Sequence, residues 1–296
     1  ILGLLISGDF RRNVSTNAKI ATAFAPGCVS CLFKVIPHVD PKHMHSLGMS
    51  FTVRDGVIAR VIPSPGSEVW FNDELIEFPT VRSAAETLIN EPLKVELQSS
   101  LSLASGFGLS GASTLATLFA INHMFDLGMA DRDLAMAAHV AEVENLTGLG
   151  DVCGQFHGGC LAKLQEGDPL KASVLPVAEQ PIHFRYFGPI QTSAVIGDPR
   201  RREHINLAAD SALGSLAELQ ERREQDLDSY IGIAREFAEK SGLLTDARVR
   251  QAIEDIEASG GKASMIMLGN AVFSTRSFEG SRETALSTRS AGIVHE

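Results

Sequence analysis

SLASGFGLSGASTLA, residues 102–116, sets Gly106-x-Gly108-x-x-Gly111 at the head of an apolar run. Glycines at this spacing let a backbone approach phosphate oxygens, and a helix starting there turns its free amides toward an anion. The same glycines also suit a plain strand-to-helix turn, with Ser110 and Ser113 as caps. The preceding segment, Lys94 to Leu103, alternates Val95, Leu97, Leu101 and Leu103 with Glu96, Gln98, Ser100 and Ser102, slipping phase at Ser99. That pattern is a strand with one wet face, whereas a dinucleotide fingerprint needs a buried parallel strand. Asp126 and Asp131 stand near the distance of a ribose-binding acid, but the strand in front is of the wrong kind. The H-R-D and D-F-G elements of protein kinases do not follow. G-x-x-x-x-G-K-[ST] does not occur either: Gly261-Lys262 is followed by Ala263. A glycine loop that receives an anion is what remains.

The chain around this loop has 296 residues, enough for two domains with a core each. Its 44% hydrophobic and 21% charged residues are those of a globular protein. With 26 basic against 36 acidic residues the formal charge is −10, which argues against nucleic acid or an anionic membrane as the main partner. No apolar run approaches a membrane span. Residues 1–18 read as a peripheral extension, with an apolar start too short for a signal peptide. Four cysteines in a chain this long suggest reduced thiols in a cytoplasmic enzyme. Cys28-x-x-Cys31 has no second pair to complete a zinc site.

Reading along the chain, Ile20–Val35 suggests two strands broken by a tight turn at Ala25-Pro26-Gly27. Arg54-Asp55-Gly56 and Asn72-Asp73 each read as hairpin turns. Helices are expected over Val81–Leu88, Gly111–Phe125 and Asp131–Leu146, the last with Asp131 as N-cap. A strand at Cys160–Leu164 precedes the polar stretch Gln165–Pro181, the expected boundary between domains at 19–170 and 180–296. Beyond it come strands in Ile182–Ile196 and helices near Arg200–Leu219, Leu227–Lys240 and Asp246–Ala258. Strands at Ser264–Leu268 and Val272–Thr275 follow. The whole reads as α+β.

Three segments together resemble the GHMP kinase superfamily: Ala25-Pro26-Gly27, Gly106-Phe107-Gly108-Leu109-Ser110-Gly111, and the glycine-rich turn from Gly260 to Asn270. Within it the chain is similar to the archaeal pantoate kinases through AFAPG, SGFGLSGA, AEVENLTGLGD, FGPIQT and ASMIMLGNAVFS, spread over residues 23–274. The resemblance implies two domains, an N-terminal one like ribosomal protein S5 and a ferredoxin-like C-terminal one, with the site between them. It implies transfer of the ATP γ-phosphoryl group, with Mg²⁺, to the primary hydroxyl of pantoate in coenzyme A biosynthesis. Another hydroxy acid, an amino alcohol such as homoserine, or a non-catalytic sensor are the alternatives. A homodimer is suggested by relatives.

By the same resemblance Ser105, Gly106, Phe107, Gly108, Leu109, Ser110 and Gly111 bind the nucleotide. Ser110 and Glu142 hold the metal, with Glu144 as second choice, and Asp151 is the catalytic carboxylate. Read alone, Glu142 and Glu144 suit a solvated helix face, and Asp151 suits a helix cap. Together they form a hard-oxygen set fit for Mg²⁺. Two positions depart from the pattern. Cys28 stands where many relatives carry Lys or, in the pantoate branch, His. Leu47 stands where that branch often has Arg. An acceptor carboxylate wants a cation, and Arg200, Arg201, Arg202 or His38 are the substitutes the sequence offers.

Overall fold

The computed structural model describes residues 20–222 and 225–295; the reading of residues 1–18 as a peripheral extension falls outside them. The first element, β1 (Ala21–Ile36), runs unbroken through Ala25-Pro26-Gly27, where a turn was expected. It pairs antiparallel along its length with β2 (His45–Pro63), which likewise runs straight through Arg54-Asp55-Gly56. Pro26 faces Gly56 across this ladder, and a Cβ on Gly56 would collide with the Ala25 carbonyl. The glycine serves close strand approach, not a turn. Register shifts at Pro26/Cys28 and Ser30/Leu32 bend β1 at two bulges.

Asn72 and Asp73 do make the expected hairpin turn, both with positive φ, between β3 (Glu68–Phe71) and β4 (Glu74–Leu75). Helix α1 (Pro79–Leu88) starts on a proline, then β5 (Leu93–Gln98) pairs with the far end of β2. The alternation predicted to Leu103 stops at Gln98, and the chain enters the glycine loop. Helix α2 (Leu109–Met124) is buried almost all round, packed on β1 and β2 with α1 and α3 (Asp131–Glu144) alongside. Asp131 is the first helical residue of α3 and not its cap; Ala130 is the N-cap and makes no side-chain bond. Short α4 (Asp151–His157) leads to β6 (Cys160–Lys163), which pairs with the near half of β2 and with β7 (Ser173–Val174).

The second sheet, ordered β11-β8-β10-β9, joins β8 (Pro181–Pro189), β9 (Ala263–Met265), β10 (Gly269–Ser274) and β11 (Arg282–Ala285). Residues 192–196 form helix α5 (Thr192–Ile196), where strand was expected. Helices α6 (Pro199–Arg222), α7 (Leu227–Lys240) and α8 (Ala247–Ala258) match the sequence reading closely, with Asp246 capping α8 through Arg248 N. A last strand, β12 (Gly292–Ile293), returns to pair with β1 in the first sheet. The α+β fold is as expected.

Candidate active site

The glycine loop is held against β1 at its first bulge, where the freed Cys28 amide donates to the Phe107 carbonyl at 2.8 Å. Gly106 and Gly108 both have positive φ, +85° and +60°. A Cβ on Gly106 would lie 2.7 Å from Ile266 and 2.8 Å from the Met267 carbonyl; one on Gly108 would lie 2.8 Å from the Asp151 side chain. These glycines are therefore required by conformation and by crowding together. Among the described residues no hydrogen bond is donated by the backbone amides of Gly106 to Gly111, which open the first turn of α2. Free amides at a helix start are the donors an anion needs. The third glycine-rich segment packs on the same loop, where a Cβ on Gly269 would collide with the Ser105 carbonyl, and on β1, where Met267 N donates to Ser30 O at 2.9 Å; Leu268 takes a positive φ of 63°.

Ser110 Oγ donates to Glu142 Oε1 at 2.6 Å, and Thr80 Oγ1 lies 3.1 Å from Ser110 Oγ. Glu142 is 2% exposed on the inner face of α3, while Glu144 points to solvent. Helix geometry separates two acids that sequence spacing left open. Burial, with the nearby Asp151 charge adding, pushes the Glu142 carboxyl up to about 8. No Lys, Arg or His forms an ion pair with Glu142 among the described residues. A buried carboxylate next to a second one lacks a cation, and the Ser110 and Glu142 oxygens fit Mg²⁺.

Asp151 opens α4, but its carboxylate does not cap that helix. It accepts from Ser30 Oγ at 2.7 Å, and burial raises its pKa. The two residues share a cavity with Ser46, Gly48 and Ser50 from alternate positions of β2, and with Leu161 and Lys163 from β6. Leu32, Met49, Ile196 and Leu268 add apolar wall. The cavity thus takes side chains from both sheets' halves of the chain, next to the glycine loop.

Lys163 is a cation on the cavity wall that the sequence reading did not single out. It is only 8% exposed, sits opposite Gly48 in the β2–β6 ladder and donates to Asp168 O at 2.6 Å. Burial lowers its pKa to about 8. Its signal was a lone lysine in the apolar strand Cys160–Leu164. The substitutes suggested by sequence lie elsewhere. Arg200 and Arg201 engage Asp198 at the start of α6, Arg202 lines a separate groove with Pro37, and His38 is exposed beside Asp40. Cys28 and Leu47 are buried and do not line the cavity. All four cysteines are free and buried.

Residues 79–159, which hold the loop, Glu142 and Asp151, match the GHMP kinases N terminal domain. The chain is 29% identical over 260 residues to a pantoate kinase of Methanospirillum hungatei, covering 85% of this chain and 86% of that one. It is 28% identical over 255 residues to a pantoate kinase of Methanocaldococcus jannaschii, covering 84% and 90%. A solved structure described as a phosphotransferase related to the CoA biosynthesis pathway superposes with a TM-score of 0.80 at 24% identity, over 93% of this chain and 99% of that one. A homoserine kinase from Cytophaga hutchinsonii gives 0.61 at 19% identity, over 95% and 99%. These structures share the GHMP kinase fold. Among the described residues no helix is long and apolar enough to cross a membrane.

Proposed function

We propose that the protein phosphorylates the primary hydroxyl of pantoate with ATP, giving 4-phosphopantoate for coenzyme A biosynthesis, in the cytoplasm. The site would lie between an ATP-binding domain, residues 19–170, and a second domain, residues 180–296. The observation that carries the reading is that Asp151 and Lys163 line one apolar-walled cavity beside the glycine loop. Two pantoate kinases resemble the chain over most of its length.

In this reading the amides of Ser105 to Gly111 and the start of α2 receive the phosphates. Ser110 and Glu142 hold the metal through one hydroxyl and one carboxylate oxygen. When bound, ATP supplies the phosphoryl group and Mg²⁺ neutralises the charge that builds on it. Asp151 orients the acceptor hydroxyl and takes its proton; burial raises the affinity of this carboxylate for a proton, which suits that role. Lys163 pairs with the acceptor carboxylate, and the Ser46 hydroxyl stands beside it on the wall. Leu32, Leu161 and Ile196 receive the branched carbon next to the reacting alcohol. Homoserine would bring an ammonium group toward Lys163, which disfavours it.

ADP release measured over pantoate, homoserine and mevalonate tests the acceptor, with pantoate expected to give the highest kcat/KM. Asp151→Asn is expected to lower kcat by on the order of 10²-fold while nucleotide affinity changes little. A folded Asp151→Asn protein with normal kcat would remove Asp151 from the chemistry.

A further inference from the structure

The Asp151 carboxylate accepts one side-chain hydrogen bond among the described residues, from Ser30 Oγ at 2.7 Å. No Lys, Arg or His forms an ion pair with it among those residues. Cys28, two residues earlier on the strand, is fully buried outside the cavity lining. Lys163 directs its ammonium to the Asp168 carbonyl. We infer that Ser30 is a positioning residue of the phosphoryl transfer, fixing which Asp151 oxygen meets the acceptor.

The backbone makes Ser30 suited to this. Ser30 faces Ser50 in the β1–β2 ladder, its carbonyl accepts from Met267 N at 2.9 Å, and the second β1 bulge follows it directly. The residue is thus pinned on both edges, and its half-buried side chain projects into the cavity. Donation to Oδ1 leaves Oδ2 on the side of Gly148, where a Cβ would lie 3.4 Å from it. One oxygen is held and the other stays free as an acceptor. A hydroxyl holds the carboxylate without a positive charge, so it orients the group and leaves its basicity higher than a lysine partner would.

The inference rests on Asp151 acting at the acceptor hydroxyl, and its test is built to separate the two. Ser30→Ala is expected to lower kcat roughly 10- to 100-fold, the scale of a misplaced reacting group, with the KM for ATP within about twofold. Ser30→Thr keeps the hydroxyl and is expected to recover most of the loss. In an Asp151→Asn background, Ser30→Ala is expected to cost little more, since the two act as a unit. Crystal structures of the wild-type and Ser30→Ala proteins read the same point with no acceptor present: the Asp151 carboxylate is expected to leave its wild-type orientation. Failure of pantoate turnover in the wild type would sink the substrate reading and leave this comparison intact. An unmoved Asp151 in Ser30→Ala, or a folded Ser30→Ala protein with kcat within about twofold of wild type, would overturn the inference.

Discussion

Glu142→Gln changes a buried charge without changing its size, and the structure gives the sign of the effect. The Glu142 carboxyl titrates at about 8 in the folded protein against 4.5 ordinarily. A carboxyl raised on folding binds its proton more tightly in the native state. Its contribution to stability is therefore complete below about pH 4.5 and is lost as the pH rises to about 8. At about 1.36 kcal/mol per pH unit, the full loss is on the order of 5 kcal/mol. The glutamine amide keeps an acceptor for Ser110 Oγ but has nothing to ionise. Urea unfolding of both proteins without metal should then show the variant gaining on the wild type by about 3 kcal/mol between about pH 5.5 and pH 9, roughly the first unit of loss having passed by pH 5.5. The second arm adds ADP with and without Mg²⁺. The wild type should gain stability from Mg²⁺ and the variant should not, because binding to the native state alone raises its stability. Parallel stability curves for the two proteins from about pH 5.5 to 9 would refute the buried, uncompensated carboxylate. An equal Mg²⁺ response in both would remove Glu142 from the metal site.

Gly108→Ala places a Cβ 2.8 Å from the Asp151 side chain on a backbone with φ of +60°. It is expected to weaken ATP binding by roughly tenfold or more by calorimetry and to lower kcat, with the fold retained by circular dichroism. Lys163→Met is expected to raise the pantoate KM roughly 10- to 100-fold, the value of a charged hydrogen bond, while the ATP KM holds. With the Lys163 ammonium depressed to about 8, wild-type kcat/KM for pantoate should fall as pH rises above 8, and that limb should be missing in the variant. A limb that persists in Lys163→Met would assign it to another group.

Local signals were legible where local physics decided the outcome. Asn72-Asp73 read as a hairpin and formed one, because positive φ at both residues is a property of the turn itself. The helices α7 and α8 read within a residue or two because their apolar faces repeat at the helical period. Pro26, Gly27 and Gly56 misled for a tertiary reason. They sit opposite one another, or under the glycine loop, in two long paired strands, and lone glycines in strands mark close approach as readily as turns. The return of β12 to β1 and the helix at Thr192–Ile196 carry no periodic signature in so few residues.

The structure brings the expected loop, Glu142 and Asp151 close together, and these share one continuous stretch of chain, whereas the groups that face them from other strands carried no motif signal in the sequence. Reading Cys28 and Leu47 as the loss of the acceptor's cation lets motif position stand for function. What fixes function is which strand faces the cavity. The ladder sets Lys163 across from Gly48, where a Cβ would collide with the Leu32 carbonyl of β1, and Leu161 two residues back on the same face. Leu47, between Ser46 and Gly48, points to the other face and is buried there. A basic residue at 47 in this backbone would lie beside Lys34, its partner across the β1–β2 ladder, and away from Ser46 and Gly48. The cation at 163 and the small residues at 46, 48 and 50 are thus one arrangement, and neither half is recognisable without the pairing of β2 with β6.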